Sequence, residues 1–277
     1  MSIIKFGGSV ITDASQVDLY NSTNTRRLAN ELYPYFRGSV LIHGTGHVGK
    51  PPAIRYGYYK SGVIQRQDRL IAIQIRQELR LLNQRFLQTF ISASIPVIPL
   101  DIVHFFEASM DRLVDPDACD RLLDLISNGL VPIFYGDLMP QTDGSFRVFS
   151  SDTMALVLAK TLAPENVFLL SDVNGLYADG PHKETGACHD VIKKLNHATL
   201  GSMLKMRSDA RDVSGGMYQK AVCALEICRY SNRCVIASGV TPGVLSELFR
   251  GNADPGTCVM AEDRQLERFG QREQFAV

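Results

Sequence analysis

The sequence lacks an excess of charge of either sign, because 29 lysines and arginines balance 29 aspartates and glutamates. This balance gives no indication of a nucleic-acid or membrane surface, so any anion site has to be local. The sequence also has no apolar run near the roughly 18 residues of a membrane span. Its first residues show no basic segment followed by an apolar one, as a secretory signal would. These absences predict a cytoplasmic protein that binds neither nucleic acid nor membranes.

Cysteine spacings typical of metal sites or disulfide frameworks are missing as well. The cysteines form no CxxC pair and no pattern with histidine; they are Cys119, Cys188, Cys223, Cys228, Cys234 and Cys258. Small buried side chains in a reducing compartment explain them better than disulfides or zinc. We therefore expect no metal held by a cluster of the protein's own side chains. No repeat or Pro/Ser-rich linker divides the chain.

What the sequence does have is an alternation of short apolar runs and longer helical patterns. The runs are rich in Val, Ile and Leu, as strands buried on both faces are, and cover 2–7, 39–44, 95–100, 130–136, 166–171 and 233–238. Helical patterns occupy 24–36, 64–92, 116–128, 151–162 and 216–230. This rhythm predicts an α/β fold, a three-layer αβα sandwich with a mostly parallel central sheet. A new strand and helix series near 150–165 marks a boundary between two lobes, 1–150 and 151–277.

Four of the six predicted strands end in glycine, a charged residue or both. The first is followed by Gly7-Gly8-Ser9 and the second by the stretch from Gly44 to Lys50. The fourth is followed by Gly136-Asp137 and the fifth by Asp172 and Gly175. Ligands of open α/β sheets bind beyond the carboxyl ends of the strands. The strand ends therefore predict one shared site.

Glycine-rich turns between strand and helix present backbone N–H groups to phosphate oxygens. "KFGGSVITD" (5–13) and "HGTGHVGK" (43–50) both have this composition, and neither has Walker A spacing. Gly44, Gly46 and Gly49 match the glycines of a dinucleotide fingerprint, but no acidic residue ends a strand about 20 residues later. A phosphate site is therefore favoured over a dinucleotide site.

A second glycine pair with a lysine occurs in "DVSGGMYQK" (212–220), where Lys220 follows one turn into a helix. Two lysines beside glycine turns suit phosphoryl transfer, because cations and backbone amides stabilise the charge of the moving group. Taken alone, Lys220 is better explained as a solvated helix lysine, and only its context favours a role in phosphoryl transfer. In "SSDTMALVLAK" (150–160), Ser151 or Asp152 is expected to cap a helix. Asp152 either serves only as that cap or holds two lysines in position.

Together these motifs, with "NGLVPIFYGD" and "LLSDVNGLY", resemble in their order the amino acid kinase superfamily over residues 2–260. The similarity is greatest to the branch of isopentenyl phosphate kinases and fosfomycin-resistance kinases. The resemblance implies an N-terminal lobe for a small anionic acceptor, a C-terminal lobe for ATP with Mg²⁺, and a homodimer.

The resemblance also implies roles for individual residues. Lys5 and Lys220 would contact the transferring phosphoryl group from two sides, with Asp152 organising both lysines. The phosphate and ATP contacts would come from Gly7, Gly8, Ser9, Asp172, Gly175, Gly215, Gly216 and Met217. The acceptor contacts would come from Gly44, Thr45, Gly46, His47, Lys50, Gly136 and Asp137.

Three departures from the branch concern the acceptor. The branch reads HGGGSFGH where this sequence reads HGTGHVGK, so that Lys50 replaces an acceptor-binding histidine. His47 either supplies an imidazole from another direction or is a loop residue. The branch continues its first motif with TDK, whereas Ala14 stands here in place of that lysine. The segment 51–69, rich in Arg and Tyr, forms either a surface helix or an acceptor pocket with aromatic walls and a cationic rim.

These features predict an ATP-dependent kinase of a small anionic acceptor such as a phosphate or phosphonate, with an altered acceptor site and a place in specialised metabolism. One alternative is an enzyme that forms an acyl phosphate on a carboxylate or carbamate. Another is a nucleotide-binding regulator without turnover. The retention of Lys5, Asp152 and Lys220 argues against the regulator.

Overall fold

The computed structural model describes residues 1–177, 190–206, 216–251 and 255–260. The strands in these ranges are β1 (Ser2–Phe6), β2 (Ser39–His43), β3 (Val63–Ile64), β4 (Val97–Pro99), β5 (Val131–Tyr135), β6 (Asp137–Pro140), β7 (Phe146–Phe149), β8 (Asn166–Ser171), β9 (Lys194–Leu195), β10 (Arg233–Ser238) and β11 (Gly256–Val259). The α-helices are α1 (Gly8–Ile11), α2 (Ser22–Leu32), α3 (Gly46–Arg55), α4 (Arg69–Ser92), α5 (Pro116–Ser127), α6 (Ser151–Leu162), α7 (His197–Met206), α8 (Gly216–Cys228) and α9 (Val244–Phe249).

The central sheet has the strand order β4-β5-β2-β1-β8-β10-β11-β9. Its strands pair in parallel except β10 and β11, which pair antiparallel. A second sheet contains β3, β7 and β6. All six predicted strands are present, and the α/β fold with helices on both faces of a mostly parallel sheet is confirmed.

The alternation along β1 decides which residues reach which layer. Ile3 belongs to the apolar cluster that includes α5, α6 and α8, whereas Ile4 and Phe6 belong to the cluster with α2, α4 and α9. Successive side chains of a strand point to opposite faces. Lys5 therefore shares the face of Ile3 and projects toward α6 and α8.

The helix predicted over 64–92 begins later, at Arg69. Val63 and Ile64 instead pair with β7, and Arg66–Asp68 form a 3-10 turn before the helix. The predicted apolar stripe is confirmed at its centre, since Ile75, Leu79, Leu82, Phe86 and Phe90 are buried. The capping prediction for α6 is wrong: Ser150 is the N-cap, and its hydroxyl accepts a hydrogen bond from Thr153 N at 3.0 Å.

Some elements of the N-terminal half lie outside the predicted strands and helical patterns. They include α3, which contains Pro51 and Pro52 and overlaps the surface helix considered for 51–69, and the β6–β7 hairpin. Both contribute to a third apolar cluster, in which Tyr58 is buried between α3, α4 and the hairpin. The segment 51–69 is thus partly helix and partly core.

The sheet is continuous across the predicted lobe boundary, because β1 pairs with β2 on one side and with β8 on the other. The division at 150–165 therefore stays a prediction about binding roles. None of the described helices has the length and apolarity needed to cross a membrane.

Candidate active site

Three predicted strand ends lie side by side at the carboxyl edge of the sheet. The backbone ladder continues one residue past each strand: Gly136 N donates to His43 O, Gly44 N to Phe6 O, and Gly7 N to Leu170 O, each at 2.9 Å. The glycines after β5, β2 and β1 thereby form one row, and Ser171 of β8 continues it. The shared edge expected from the sequence is present.

The turns after β1 and β2 touch backbone to backbone. A Cβ atom on Gly8 would lie 2.2 Å from Gly46 N, and one on Gly44 would lie 2.6 Å from Gly8 N. Gly46 also has a φ of +48°, a conformation that L side chains rarely adopt. Only glycine permits this approach, which brings the first turn of α1 against the first turn of α3.

Lys5, Asp152 and Lys220, which we call the lysine cluster, meet at the same edge. Lys5 Nζ lies 2.9 Å and Lys220 Nζ 3.2 Å from the same oxygen, Asp152 Oδ1. The lysine side chains are 4% and 8% exposed, whereas that of Asp152 is 23% exposed. The cluster carries two positive charges and one negative charge, and it opens to solvent on one side.

The pKa values in the lysine cluster reflect burial and mutual attraction. Burial lowers the pKa of Lys5 to about 8, although Asp152 opposes the shift. Burial alone would raise the pKa of Asp152, but Lys220 and Lys5 together hold it well below its usual range. Burial alone would lower the pKa of Lys220, and the carboxylate of Asp152 outweighs it, so that the pKa of Lys220 is raised.

Local structure explains why Asp152 is available to two lysines. Because Ser150 caps α6, the Asp152 carboxylate is not used on the helix's own N–H groups. Its place in the first turn is also favourable for a negative charge, since the amino end of a helix carries a partial positive charge. Lys220 arrives from α8, which packs against α6. Asp152 therefore forms ion pairs with two lysines, and Ser150 caps the helix in its place.

On the side of β2 and β5, Thr45 fills the space left by two glycines. A Cβ atom on Gly49 would lie 2.3 Å from Thr45 Oγ1, and one on Gly136 would lie 3.2 Å from Thr45 Cγ2. His47 and Lys50 are exposed on α3. Lys50 Nζ lies 6.0 Å from the ring centroid of Tyr59.

Asp137 occupies a different environment from the one expected of an acceptor contact. Its side chain is 1% exposed, and its Oδ2 accepts a hydrogen bond from Arg76 Nε of α4 at 3.0 Å and lies 2.9 Å from Arg76 Nη2 in an ion pair. Arg76 and Arg80 also pair with Asp101, at 3.4 and 3.1 Å. Burial raises the pKa of Asp137, and Arg76 limits the shift. We call these four residues the arginine cluster.

A comparison with known proteins identifies the family. The family model of the amino acid kinase family matches residues 1–238. The chain belongs to this family. As a member of this family it is an ATP-dependent enzyme that phosphorylates a small molecule.

Relatives of the chain within the amino acid kinase family have more than one activity. An isopentenyl phosphate kinase of Methanothermobacter thermautotrophicus is 29% identical over 269 residues, which are 93% of this chain and 98% of the relative. An acetylglutamate kinase of Streptomyces clavuligerus is 30% identical over 286 residues, which cover 94% of this chain and 88% of the relative. A solved isopentenyl phosphate kinase structure matches with a TM-score of 0.76 and 23% identity, over 94% of this chain and 100% of that one. The structural likeness shows the fold alone.

The residues expected to bind the nucleotide are spread over several elements of this kinase, unlike the three residues of the lysine cluster. Ser9 is exposed in the first turn of α1, and Asp172 is half-buried beside Ser171, whose hydroxyl donates to its carboxylate at 3.3 Å. Gly175 is buried, and a Cβ atom there would lie 2.7 Å from Thr257 Oγ1. Met217 packs against the core at the start of α8. Gly216 begins that helix, and Gly215 lies outside the described residues.

Two residues that no sequence motif singled out lie behind the glycine row of this kinase, His43 and Arg76. His43 is buried, its Nδ1–H donates to Gly44 O at 2.9 Å, and its Nε2 lies 3.1 Å from Asn83 Oδ1. Burial lowers the pKa of His43 to about 4. Its position in a buried strand, just before a glycine turn, was the available signal. Arg76 gave no such signal, because an arginine within a helix ordinarily faces solvent.

Proposed function

We propose that this kinase transfers the γ-phosphoryl group of ATP to an oxygen of a small anion, a phosphate, phosphonate or similar group. The lysine cluster carries this proposal. Its two ammonium groups and one carboxylate leave a net positive charge at the sheet edge, beside the glycine row. An anion placed there would complete the neutralisation, and the transferring group carries such charge on its outer oxygens.

The protonation states of the site favour an acceptor that is already ionised. Asp152 is a poor proton acceptor, because the two lysines hold its pKa well below the usual range. Both ring nitrogens of His43 are engaged in the interior. A neutral alcohol needs a base to remove its proton, whereas a phosphate or phosphonate oxygen attacks without one. The acceptor oxygen then bonds to the γ-phosphorus as the bond to the bridging oxygen of ADP breaks, and the electron pair stays on ADP.

In this proposal the two halves of the sheet bind different reactants. Residues 1–150 would bind the acceptor and 151–277 would bind ATP, with Lys5 and Lys220 reaching the phosphoryl group from the two sides. Gly7, Gly8 and Ser9 would present backbone amides to it at the first turn of α1. Such positioning and charge neutralisation are sufficient for in-line transfer.

Mg²⁺ would enter this site with the nucleotide. Among the described residues no three His, Cys, Asp or Glu side chains are grouped to hold a metal ion. Mg²⁺ commonly keeps several waters and binds through substrate phosphates and one or two carboxylates. Asp152 and Asp172 are the carboxylates at the ends of the strands and helices concerned, so they are the residues proposed to assist. When bound, the ion would neutralise phosphate charge.

We propose that the acceptor differs from isopentenyl phosphate, the acceptor that the relatives' name implies. Lys50, in place of a histidine, is exposed on α3 and lies near the ring of Tyr59. Thr45, in place of a glycine, fills the space between α3 and Gly136. Both changes replace a small or neutral group at the mouth of the acceptor side. They favour a compact polar anion over one with a long apolar tail.

A second candidate function is the phosphorylation of a carboxylate to an acyl phosphate. The similarity to acetylglutamate kinase over 94% of the chain favours it. A carboxylate is also ionised at neutral pH. The protonation states of Asp152 and His43 are therefore compatible with both functions.

Phosphorus NMR tests this proposal. The purified protein is incubated with ATP, Mg²⁺ and a panel of phosphates, phosphonates, carboxylates and alcohols. A diphosphate or phosphonate-anhydride signal supports the first function, and an acyl-phosphate signal supports the second. Product from alcohols alone, or ATP binding without product from any member of the panel, contradicts the anionic-acceptor proposal.

We also propose that the protein is a homodimer. Besides its buried stripe, α4 carries a second row of apolar side chains that are exposed, Leu70, Ile73, Leu81 and Ile91. Burial of such a row against a second copy would remove it from water. Light scattering after size exclusion gives the mass; a monomer at micromolar concentration contradicts the proposal.

A further inference from the structure

We propose that Thr12 is a positioning residue that fixes the phosphate-side turn, Gly7–Ile11, against the acceptor-side helix α3. This inference rests on the proposed function, in which these two elements hold the two reactants. Thr12 lies just after α1 and is only 3% exposed. Nothing in the motif "KFGGSVITD" distinguishes it from an ordinary buried threonine.

One hydroxyl group connects the two elements. Thr12 Oγ1 donates to Gly8 O at 2.7 Å and accepts a hydrogen bond from His47 N at 3.0 Å. Gly8 lies in the phosphate-side turn and His47 in the first turn of α3. A threonine hydroxyl has one hydrogen to donate and lone pairs to accept, so both bonds form at the same time.

The bond to His47 replaces a cap that α3 lacks. Thr45 is the N-cap of α3, but its side chain makes no capping hydrogen bond and its backbone is already in the helical region. The first N–H groups of a helix have no partner within it and need one from outside. Thr12 supplies such a partner from a different element, 35 residues earlier. The amino end of α3 is therefore tied to α1.

The fit around this hydroxyl leaves little freedom. A Cβ atom on Gly46 would lie 2.1 Å from Thr12 Oγ1 and 2.5 Å from Gly8 O. Both glycine-rich turns thus pack around the same oxygen. If that oxygen is removed, the two backbones can separate, and misplacement of reactants by about 1 Å costs up to about 100-fold in rate.

The test compares Thr12→Val, which keeps the shape and removes the hydroxyl, with Thr12→Ser, which keeps the hydroxyl. Thr12→Ala is made in parallel as a second variant without the hydroxyl. Thr25→Val is the matched control, because Thr25 is also fully buried and its hydroxyl donates to Asn21 O at 2.8 Å, within α2. We expect Thr12→Val and Thr12→Ala to lower kcat by about 10- to 100-fold with KM for ATP within about twofold. Thr12→Ser should stay within about threefold of the original enzyme, as should Thr25→Val.

A second readout does not depend on activity. Amide hydrogen exchange over residues 44–50 should be faster in Thr12→Val, and unchanged in Thr12→Ser and Thr25→Val, in protein without substrates. Unchanged kcat and unchanged exchange in both hydroxyl-free variants would overturn the inference. A loss of kcat in Thr12→Ser as large as that in Thr12→Val would also overturn it, since the loss would then not depend on the hydroxyl. If Lys5→Ala retains activity, the proposed function fails, and the exchange result still decides whether Thr12 joins the two elements.

Discussion

Two clusters of charged side chains lie at the carboxyl edge of the sheet, and they differ in the ratio of cations to carboxylates. The lysine cluster has two cations around one carboxylate, and the side chain of Asp152 is 23% exposed. The arginine cluster has two cations and two carboxylates, and the side chain of Asp137 is 1% exposed. A buried cation without its own partner is costly. The unbalanced cluster therefore indicates an anionic ligand, and the balanced one indicates a structural role.

The comparison bears on the residues that the family resemblance assigns. Lys5, Asp152 and Lys220 form the unbalanced cluster, which is the place proposed for the transferring phosphoryl group. Asp137 belongs to the balanced one, where Arg76 occupies its carboxylate. We infer that Asp137 supports the β6–β7 hairpin beside the acceptor side, because Arg76 donates to its Oδ2 and Leu138 N donates to its Oδ1 at 2.8 Å.

Removal of one lysine should have the largest effect. In Lys5→Ala or Lys220→Ala, Asp152 keeps the other lysine, so the remaining pair is balanced and the fold should be retained. The transferring group loses one of its two cations, which costs about 100- to 1,000-fold in kcat. Steady-state rates and circular dichroism measure the two effects. Activity within tenfold of the original in both variants would contradict the proposed mechanism.

Removal of the carboxylate should lower the stability of the fold, unlike removal of one lysine, because Asp152→Ala leaves two buried lysines facing each other. We expect a loss of about 3–5 kcal/mol in the free energy of unfolding, measured in urea. Stability close to that of Lys5→Ala would show that the charges of the lysine cluster are not coupled as the distances indicate.

In the arginine cluster one substitution should act mainly on stability. Arg76→Leu leaves the buried carboxylate of Asp137 without a cation beside it, with only the Leu138 N–H still donating to its Oδ1 at 2.8 Å, at a cost of about 3–5 kcal/mol. Burial already raises the pKa of Asp137, so this cost should be largest when Asp137 is ionised and should shrink as the pH falls. The double variant Arg76→Leu with Asp137→Asn should recover most of the loss. No recovery in the double variant would mean that the ion pair is not the cause.

The two clusters also differ in how far the sequence predicts them. Lys5 stands between apolar residues of a strand and before two glycines, a position that conflicts with an ordinary core role. Asp152 stands at the start of a helix pattern, where the sequence left open whether it only caps the helix or holds the lysines. Arg76 conflicts with nothing local, and its partner Asp137 lies 61 residues away. Strand and helix periods predicted the fold for the same reason, since they are local. The pairing of α4 with the hairpin depends on tertiary packing alone.

The pH dependence should separate catalysis from folding within the lysine cluster. Burial lowers the pKa of Lys5 from 10.5 to about 8, so kcat/KM for ATP should fall about tenfold per pH unit above about pH 8. Since the folded-state pKa is the lower one, loss of this proton favours the folded state, and this group's contribution to stability rises between those two pH values. Activity and stability should thus move in opposite directions. In Lys5→Arg the fall should shift to higher pH, because arginine stays protonated; an unchanged profile in that variant would assign the fall to another group.

The smallest expected effect concerns Lys50, a cation outside both clusters. It is exposed, so water and salt screen its charge, and an exposed ion pair contributes about 1 kcal/mol at most. Lys50→His should therefore change the ratio of kcat/KM between two acceptors by about fivefold, in favour of isopentenyl phosphate over a compact phosphonate, with stability unchanged. Lys160→His is the matched control. Lys160, on α6, is also exposed, and its Nζ lies 5.8 Å from the ring centroid of Tyr230. An equal ratio in the two variants would show that Lys50 does not contact the acceptor. The buried lysines of the lysine cluster would then be the cations that act on the reactants.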